Sequence, residues 1–288
     1  MIWLVGCCGM LGREFAAAFE RAGISYTGTG SETDVTDKNT VLSFASGKNF
    51  KYIINCSAYT AVDKAESEED KALLINRDGV LNLALAAKQI DAVLIHFSTD
   101  YVFDGESSEP YKETDATNPV SAYGRTKLAG EKALTGAIDK YFIFRISWLY
   151  GRFGGNFVST MIRLMNERGS LGVVDDQKGS PTYTKHLVEN VIRLINFGSS
   201  KYGIYHYSDE GIISWYDFAA VIYRIGRETG IIHKDVRLRR ITSGEYPTPA
   251  KRPAMSAFNK DKVGRLEGFK LNRWEDNLSD YFKYYGEK

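Results

Sequence analysis

Residues 2–12 read Ile2-Trp3-Leu4-Val5-Gly6-Cys7-Cys8-Gly9-Met10-Leu11-Gly12. The apolar start predicts a buried parallel strand, and the three glycines, placed at every third position, predict a tight turn. The apolar repeat that follows, from Phe15 to Ala22, is typical of a helix. This order favours a dinucleotide site, because glycines let the backbone approach a pyrophosphate and the helix N-terminus offers it free N–H groups. The alternative is that the glycines serve the turn alone.

Further apolar runs extend this unit along the chain. Residues 25–29, 52–56 and 93–97 predict buried strands, with helices between them at 39–46 and 73–88. Strands that alternate with helices imply right-handed crossovers and helices on both faces of one sheet. The predicted fold class is therefore α/β, with a doubly wound, Rossmann-like parallel sheet.

The chain changes character after Tyr150, where residues 151–156 predict a flexible, glycine-rich link. We expect residues 1–150 to form the dinucleotide-binding domain, and residues 151–288 to form mainly a smaller, mixed α/β substrate lobe. A helix predicted near residues 184–196 should pack back onto the sheet, so the boundary between the two is not a single cut.

The second lobe has recognisable elements of its own. Helices are predicted at residues 157–168 and 274–285, and a short strand at 203–207. Ser214 is predicted to cap a further amphipathic helix, because a serine hydroxyl satisfies free N–H groups at a helix start.

The composition is that of a globular protein with small-molecule partners. The 288 residues are 43% hydrophobic and 25% charged, with a net charge of +1. A nearly neutral chain without a basic block argues against nucleic acid. Three cysteines without metal-ligand spacing fit a reducing cytoplasm, and the apolar runs are too short to cross a membrane. We expect no metal site.

A tyrosine and a lysine stand four residues apart in Ser121-Ala122-Tyr123-Gly124-Arg125-Thr126-Lys127-Leu128-Ala129-Gly130-Glu131. On a helix this spacing places both side chains on one face. An ammonium beside a phenol lowers the phenol's pKa toward working pH, which makes Tyr123 a candidate general acid or base. A chance surface pair is the alternative, since the chain contains 18 tyrosines.

Small and hydroxyl residues follow two of the predicted strands. Ser57 and Ala58 come after the third strand, and Ser98 and Thr99 leave the fourth. Open parallel sheets bind ligands at the carboxyl ends of their strands, so either hydroxyl of the second pair could contact a substrate carbonyl. His96 is interpreted as a packed strand residue without a role.

The sequence leaves the choice between NADH and NADPH open. An acidic residue on the adenosine ribose is common at the end of the second strand, but Thr29 stands there. Asp34, farther along, could cap the next helix or contact the adenine.

Several motifs together resemble a known family. They are residues 58–66 (AYTAVDKAE), 98–103 (STDYVF), 123–131 (YGRTKLAGE) and 145–151 (RISWLYG). With the glycine turn they resemble the extended short-chain dehydrogenase/reductases and, within these, the family of dTDP-4-dehydrorhamnose reductases. The resemblance extends from Gly6 to the region of Arg252 and Pro253.

This resemblance implies reduction of the 4-keto group of dTDP-6-deoxy-L-lyxo-4-hexulose by NADPH or NADH. The catalytic residues would be Thr99, which hydrogen-bonds the ketone, Tyr123, which donates the proton, and Lys127, which lowers the phenol's pKa and binds the nicotinamide ribose. Two departures from the family pattern stand out. Cys7-Cys8 should not affect the turn, whereas Thr29, at a position where the family pattern can have an aspartate, leaves the cofactor preference open.

The resemblance also implies binding residues. Those on the cofactor side would be Gly6, Gly9, Met10, Leu11, Gly12, Asp34, Val35, Ser57, Ala58, Tyr59, Phe97, Tyr123 and Lys127. Those on the side of the dTDP-sugar would be Val62, Thr99, Asp100, Tyr123 and Trp148. A homodimer is also open.

Two other functions remain open. A nucleotide-sugar 4,6-dehydratase or 4-epimerase shares much of this pattern, but a dehydratase would need an acidic pair near the carbonyl-binding threonine, and only Asp100 is present. A non-catalytic regulatory subunit of the methionine adenosyltransferase type also resembles these reductases. Retention of Thr99, Tyr123 and Lys127 together favours an enzyme.

Overall fold

The computed structural model describes residues 1–285. Within them the strands are β1 (Ile2–Val5), β2 (Tyr26–Thr29), β3 (Tyr52–Asn55), β4 (Val93–Thr99), β5 (Tyr141–Ile146), β6 (Leu149–Tyr150), β7 (Ser170–Val174), β8 (Lys178–Gly179), β9 (Thr182–Tyr183), β10 (Gly203–Tyr207), β11 (Ile213–Ser214) and β12 (Arg237–Ile241). The α-helices are α1 (Met10–Ala22), α2 (Lys38–Ala45), α3 (Val62–Ala65), α4 (Glu69–Leu73), α5 (Val80–Gln89), α6 (Ala122–Ala137), α7 (Phe157–Glu167), α8 (Thr184–Phe197), α9 (Trp215–Glu228) and α10 (Trp274–Lys283).

A six-stranded parallel sheet forms the centre of the molecule, in the order β10-β5-β4-β3-β1-β2. The order reverses between β1 and β3, where a doubly wound sheet opens a crevice at its carboxyl edge. The Rossmann-like prediction is confirmed. The predicted strand at 203–207 is present, but it is the outermost strand of this main sheet and not an element of the second lobe, where the sequence placed it.

Helices cover both faces of the sheet. On one face α1 and α8 bury residues such as Phe15, Phe19 and Leu187, and on the other α2, α5 and α6 bury residues such as Leu83 and Leu134. Burying one such side chain contributes about 1.5–3 kcal/mol, so these two apolar layers fix the position of the sheet.

The helix predicted at 73–88 has an irregular start. A π-helical turn at Leu74–Gly79 separates α4 from α5. The side chain of Asn76 points out of this turn, and its Nδ2 donates to the hydroxyl of Thr126 on α6 at 3.0 Å. A Cβ on Gly130 would lie 2.0 Å from the carbonyl oxygen of Asn76, so α6 packs this closely only because position 130 lacks a side chain.

The second lobe has its own apolar core, formed by α7, α9 and α10 with the parallel pair β7–β12. Asn156 caps α7 and Ser214 caps α9, each through a capping box, which confirms the predicted role of Ser214. The predicted helices at 157–168, 184–196 and 274–285 correspond to α7, α8 and α10.

The two regions are joined at Trp148, which connects β5 to β6. Its backbone has φ of +46°, a left-handed conformation that is uncommon for a bulky residue. The indole stacks on Trp215 of α9, with ring centroids 3.6 Å apart. This stack fixes the second lobe against the end of the sheet.

None of the helices in residues 1–285 combines the length and the apolar composition needed to cross a bilayer.

Candidate active site

The glycine turn after β1 is shaped to receive a pyrophosphate. Gly6 has φ of +72°, and its N–H donates to the carbonyl of Thr29 at 2.8 Å. A Cβ on Gly12 would lie 2.1 Å from the carbonyl oxygen of Gly6, so helix and turn meet without room for a side chain. The N-cap of α1 is Gly9, which leaves the N–H groups of Met10 and Leu11 free for an anion.

The end of β2, where an acidic residue commonly binds the adenosine ribose, carries a buried threonine instead. Thr29 is 3% exposed, and its hydroxyl accepts a hydrogen bond from Trp3 Nε1 at 2.9 Å. The exposed carboxylate nearby belongs to Glu32, which accepts from the N–H of Gly30 at 2.6 Å. This backbone hydrogen bond holds the pKa of Glu32 below its usual range. The sequence reasoning missed Glu32 because it lies beyond the strand end.

Asp34 does not cap α2, contrary to one of the two predicted roles. Its Oδ1 accepts from the N–H and the hydroxyl of Thr36, at 2.9 and 2.8 Å. Asp37 is the cap, accepting from the N–H groups of Asn39 and Thr40. Both aspartates precede the helix closely, so the sequence alone did not distinguish them. Val35 is buried beside Asp34, with its Cγ2 2.8 Å from the Cβ position of Gly79.

The rim after β3 is fixed by two buried asparagines. Asn55 accepts through Oδ1 from the N–H of Ser57 at 2.9 Å and from its hydroxyl at 2.6 Å. Asn76 accepts through Oδ1 from the N–H of Tyr59 at 2.9 Å. The backbone from Ser57 through Ala58 to Tyr59 therefore has a set position beside the glycine turn, where a Cβ on Gly6 would be 2.7 Å from Ser57 N.

The structure distinguishes the two hydroxyls that leave β4. Ser98 points away from the rim and donates to Glu131, which also forms a buried ion pair with Arg145 at 2.7 Å. The hydroxyl of Thr99 donates to Asp100 Oδ1 at 3.0 Å and accepts from the N–H of Tyr101 at 3.2 Å. It lies close enough to the Tyr123 phenol on α6 to lower that phenol's pKa. Thr99 is thus the hydroxyl that meets the tyrosine.

Tyr123 and Lys127 lie on α6, which begins at its cap Ser121. Lys127 is 2% exposed, and its Nζ donates to the carbonyl of Phe97 at 2.7 Å. A second neighbour of this Nζ is Nε2 of His96, 3.4 Å away. His96, which the sequence reasoning assigned no role, contacts the predicted catalytic lysine directly.

Burial dominates the protonation of this pair. It raises the pKa of the Tyr123 phenol, an effect that the hydroxyl of Thr99 partly offsets and the charge of Asp100 reinforces. It lowers the pKa of Lys127 to about 8, against the opposing charge of Glu131. The expected lowering of the phenol's pKa is not found, because burial of the phenol outweighs the groups that would lower it. Tyr123 therefore keeps its proton at neutral pH, the form needed for a proton donor.

A cavity of about 680 Å³ opens between the carboxyl edge of the sheet and the second lobe. Asp100, Tyr101 and Trp148 line its inner end, and the ring of Tyr101 packs edge-on against Tyr123 at 5.5 Å between centroids. Val62 is not among the lining residues, although Arg252, which is, pairs with its neighbour Asp63 at 2.8 Å.

The outer part of the cavity carries positive charge and aromatic surface. Arg168 and Arg239 line it with exposed side chains, together with the indole of Trp215. Arg252 also lines the cavity, but it donates to the hydroxyl of Tyr101 at the inner end at 3.1 Å. Asp100 brings a carboxylate to the inner end, where burial raises its pKa to about 6. Arginines suit a diphosphate, and flat rings suit a base or sugar. Sequence reasoning had no signal for Arg168 and Arg239, which lie in segments without a motif.

Within residues 1–285, no group of three or more histidine, cysteine, aspartate or glutamate side chains is arranged to hold a metal ion. The predicted residues that the structure brings together at one edge are the glycine turn, Ser57, Thr99, Tyr123 and Lys127.

The chain matches the family model described as RmlD substrate binding domain over residues 1–286. A dTDP-4-dehydrorhamnose reductase of Aggregatibacter actinomycetemcomitans is 39% identical over 291 residues, covering 98% of each chain. A crystal structure of a dTDP-4-dehydrorhamnose reductase from Clostridium acetobutylicum is 41% identical, with a TM-score of 0.91 and 98% of each chain covered. One from Bacillus anthracis, in complex with NADP, is 35% identical, with a TM-score of 0.90 and the same coverage.

These similarities span nearly the whole chain. The chain belongs to the dTDP-4-dehydrorhamnose reductase family.

Proposed function

We propose that this protein reduces the 4-keto group of dTDP-6-deoxy-L-lyxo-4-hexulose (dTDP-4-dehydrorhamnose), giving dTDP-L-rhamnose, with NADPH or NADH as reductant. The observation that carries the proposal is that the hydroxyl of Thr99 and the phenol of Tyr123 lie close together, next to Asp100 and Tyr101, which line the cavity. Membership in the reductase family supports the choice of substrate.

The protein's own groups manage the proton. Tyr123 gives its phenolic proton to the C4 oxygen as the ketone becomes an alcohol, and Thr99 orients that oxygen by donating a hydrogen bond. A phenol with a raised pKa remains protonated until the oxygen gains negative charge. Lys127, one helical turn away on α6, supplies positive charge and a replacement proton.

The cofactor residues fit a dinucleotide. Bound NAD(P)H supplies the hydride that adds to C4. Gly6, Gly9 and Gly12 leave the space and the N–H groups that a pyrophosphate needs. The backbone from Ser57 to Tyr59 and the backbone at Phe97 would form the wall beside the dinucleotide.

The sugar nucleotide would occupy the cavity. Its diphosphate suits the arginines of the outer part, and its base or sugar suits the faces of Trp148 and Trp215. On this proposal residues 1–150 bind mainly the cofactor and residues 151–288 mainly the substrate, with α8 and β10 returned to the sheet. Val62 would act indirectly, next to the Asp63–Arg252 pair.

The two competing functions make different demands. A dehydratase needs a second acid near the ketone. Among the described residues that line the cavity, Asp100 is the one carboxylic acid. A regulatory subunit needs no proton donor, so nothing in that role would require Thr99 to lie close to Tyr123.

The test is an assay of the purified protein with the 4-keto sugar nucleotide and each reduced nicotinamide. We expect loss of nicotinamide absorbance in proportion to dTDP-L-rhamnose formed. Elimination of water from dTDP-glucose, or no turnover with either cofactor, would contradict the proposal.

A further inference from the structure

A row of buried polar groups runs beneath Lys127, from Ser57 through Asn55 and His96. Asn55 Nδ2 lies 3.1 Å from His96 Nδ1, and His96 Nε2 lies 3.4 Å from Lys127 Nζ. Asn55 is 1% exposed, and His96 has no exposed surface. The row connects the cofactor rim to the lysine proposed for catalysis.

The hydrogen bonds of this row assign the position of the imidazole proton. The carbonyl oxygen of Asn55 already accepts from the N–H and the hydroxyl of Ser57, so its amide nitrogen must be the atom that faces His96. An amide nitrogen only donates, and therefore His96 Nδ1 must accept. A neutral imidazole whose Nδ1 accepts carries its proton on Nε2.

The Nε2–H of His96 thus points at Lys127 Nζ. An ammonium only donates, so it meets this proton unfavourably, whereas a neutral amine has a lone pair that accepts it. The carbonyl of Phe97 accepts from Nζ in either state. The contact with His96 therefore stabilises the amine relative to the ammonium.

We propose that His96, oriented by Asn55, is a positioning residue that makes Lys127 a better proton donor by accommodating the neutral amine left behind. This inference rests on the proposed function. When Tyr123 has given its proton to the C4 oxygen, Lys127 loses one proton toward the phenolate, and the phenol is restored. His96 keeps its own proton throughout. Its Nε2–H faces an ammonium before the transfer and an amine that can accept it afterwards.

The other groups around Lys127 agree with this role. Glu131, on the same helix, favours the ammonium, but its carboxylate is shared with Arg145 and Ser98. Burial lowers the pKa of His96 well below its usual value, and the charge of Lys127 lowers it further. His96 therefore stays neutral at working pH, and its proton stays on one nitrogen.

The first test reads the proton directly in the wild-type protein. Nuclear magnetic resonance of isotope-labelled histidine distinguishes a protonated ring nitrogen from an accepting one. The chain has four histidines, and the signal of His96 is the one lost in His96→Asn. We expect Nε2 to be protonated and Nδ1 unprotonated from about pH 6 to about pH 9. A proton on Nδ1, or on both nitrogens, would overturn the inference.

Because this measurement needs neither substrate nor turnover, it can fail while the proposed reductase activity stands, and the activity can fail while the measurement succeeds.

The second test is Asn55→Asp, a substitution that keeps nearly the same side-chain shape. A carboxylate accepts from both Ser57 and the ring, so the imidazole proton moves to Nδ1, and Nε2 becomes an acceptor for the ammonium. The alkaline fall of kcat, set by proton loss from Lys127, should then move up by about one pH unit or more.

The matched control is Asn82→Asp. Asn82 is a buried asparagine whose Nδ2 donates to the carbonyl of Val35 at 2.9 Å and to that of Thr36 at 3.2 Å. Its replacement adds a buried carboxylate without touching the row. An equal shift in both variants, or an unmoved Nε2 proton in Asn55→Asp, would contradict the proposed role of His96.

Discussion

The two sides of the candidate site are built differently. At the sheet edge Thr99 and Lys127 are buried, and their polar atoms are bonded to the backbone or to neighbouring side chains. On the outer wall of the cavity Arg168 and Arg239 are exposed side chains of the second lobe. Preorganised donors in a dry site suit bond making, whereas exposed cations suit capture of a soluble anion. The first side should therefore determine kcat, and the second the KM for the sugar nucleotide.

The largest expected effect belongs to the sheet edge. Tyr123→Phe removes the proposed proton donor and keeps the ring, so kcat should fall roughly 100- to 10,000-fold. Cofactor affinity, measured by titration of nicotinamide fluorescence, should change little. Tyr26→Phe is the control, since that phenol, at the start of β2, donates to Glu20 on α1, away from the candidate site. Unchanged turnover in Tyr123→Phe would contradict the proton-donor role.

The next effect is on stability and separates buried from exposed charge. Arg145→Leu leaves Glu131 unpaired in the interior, which should lower the free energy of unfolding by about 3–5 kcal/mol. Denaturant unfolding measures it. The matched change Arg163→Leu breaks an exposed pair with Glu167 on α7 and should cost less than about 0.5 kcal/mol. Similar losses in the two variants would mean that the buried pair is not a special feature of the sheet edge.

The third effect concerns the cavity wall and should appear in the binding of the sugar nucleotide alone. Arg239→Leu removes a cation proposed to face the diphosphate, so KM for the sugar nucleotide should rise about ten-fold. Its kcat and the KM for the cofactor should stay unchanged. Arg237→Leu, two residues earlier on β12 and outside the cavity lining, serves as the control. A fall in kcat without a change in KM would break the division between the two sides.

The smallest effect concerns cofactor choice. The carboxylate of Glu32, beside the glycine turn, should repel a phosphate on the adenosine ribose. Glu32→Gln should therefore raise kcat/KM for NADPH relative to NADH by roughly two- to five-fold, and less at high salt. Glu20→Gln on α1 is the control. A ratio that does not change would place the determinant elsewhere.

The sheet edge was also the more predictable side. The strands β1, β3 and β4 could be predicted within two residues because buried parallel strands are continuous apolar runs. The convergence of Thr99 with Tyr123 followed from the rule that parallel strands end at one edge. The resemblance to reductases added the roles.

What the sequence could not show depends on contacts between distant positions. His96 and Lys127 are 31 residues apart, and only the register of β4 against α6 brings them together. The cavity arginines lie on elements whose neighbours follow from packing of the second lobe, not from a motif. The direction of the Tyr123 pKa shift was mispredicted for a similar reason, since spacing places Lys127 on the same helix face but does not show how deeply the phenol is buried.

The contact at Gly130 limits how this site can change. With the carbonyl of Asn76 only 2.0 Å from a hypothetical Cβ, even a methyl group would act as a wedge between α6 and the π-helical turn. Such a change would tilt the helix that carries Tyr123, the proposed proton donor, while leaving the glycine turn in place. A chain altered there could still bind its nucleotide and yet have lost the alignment on which chemistry depends.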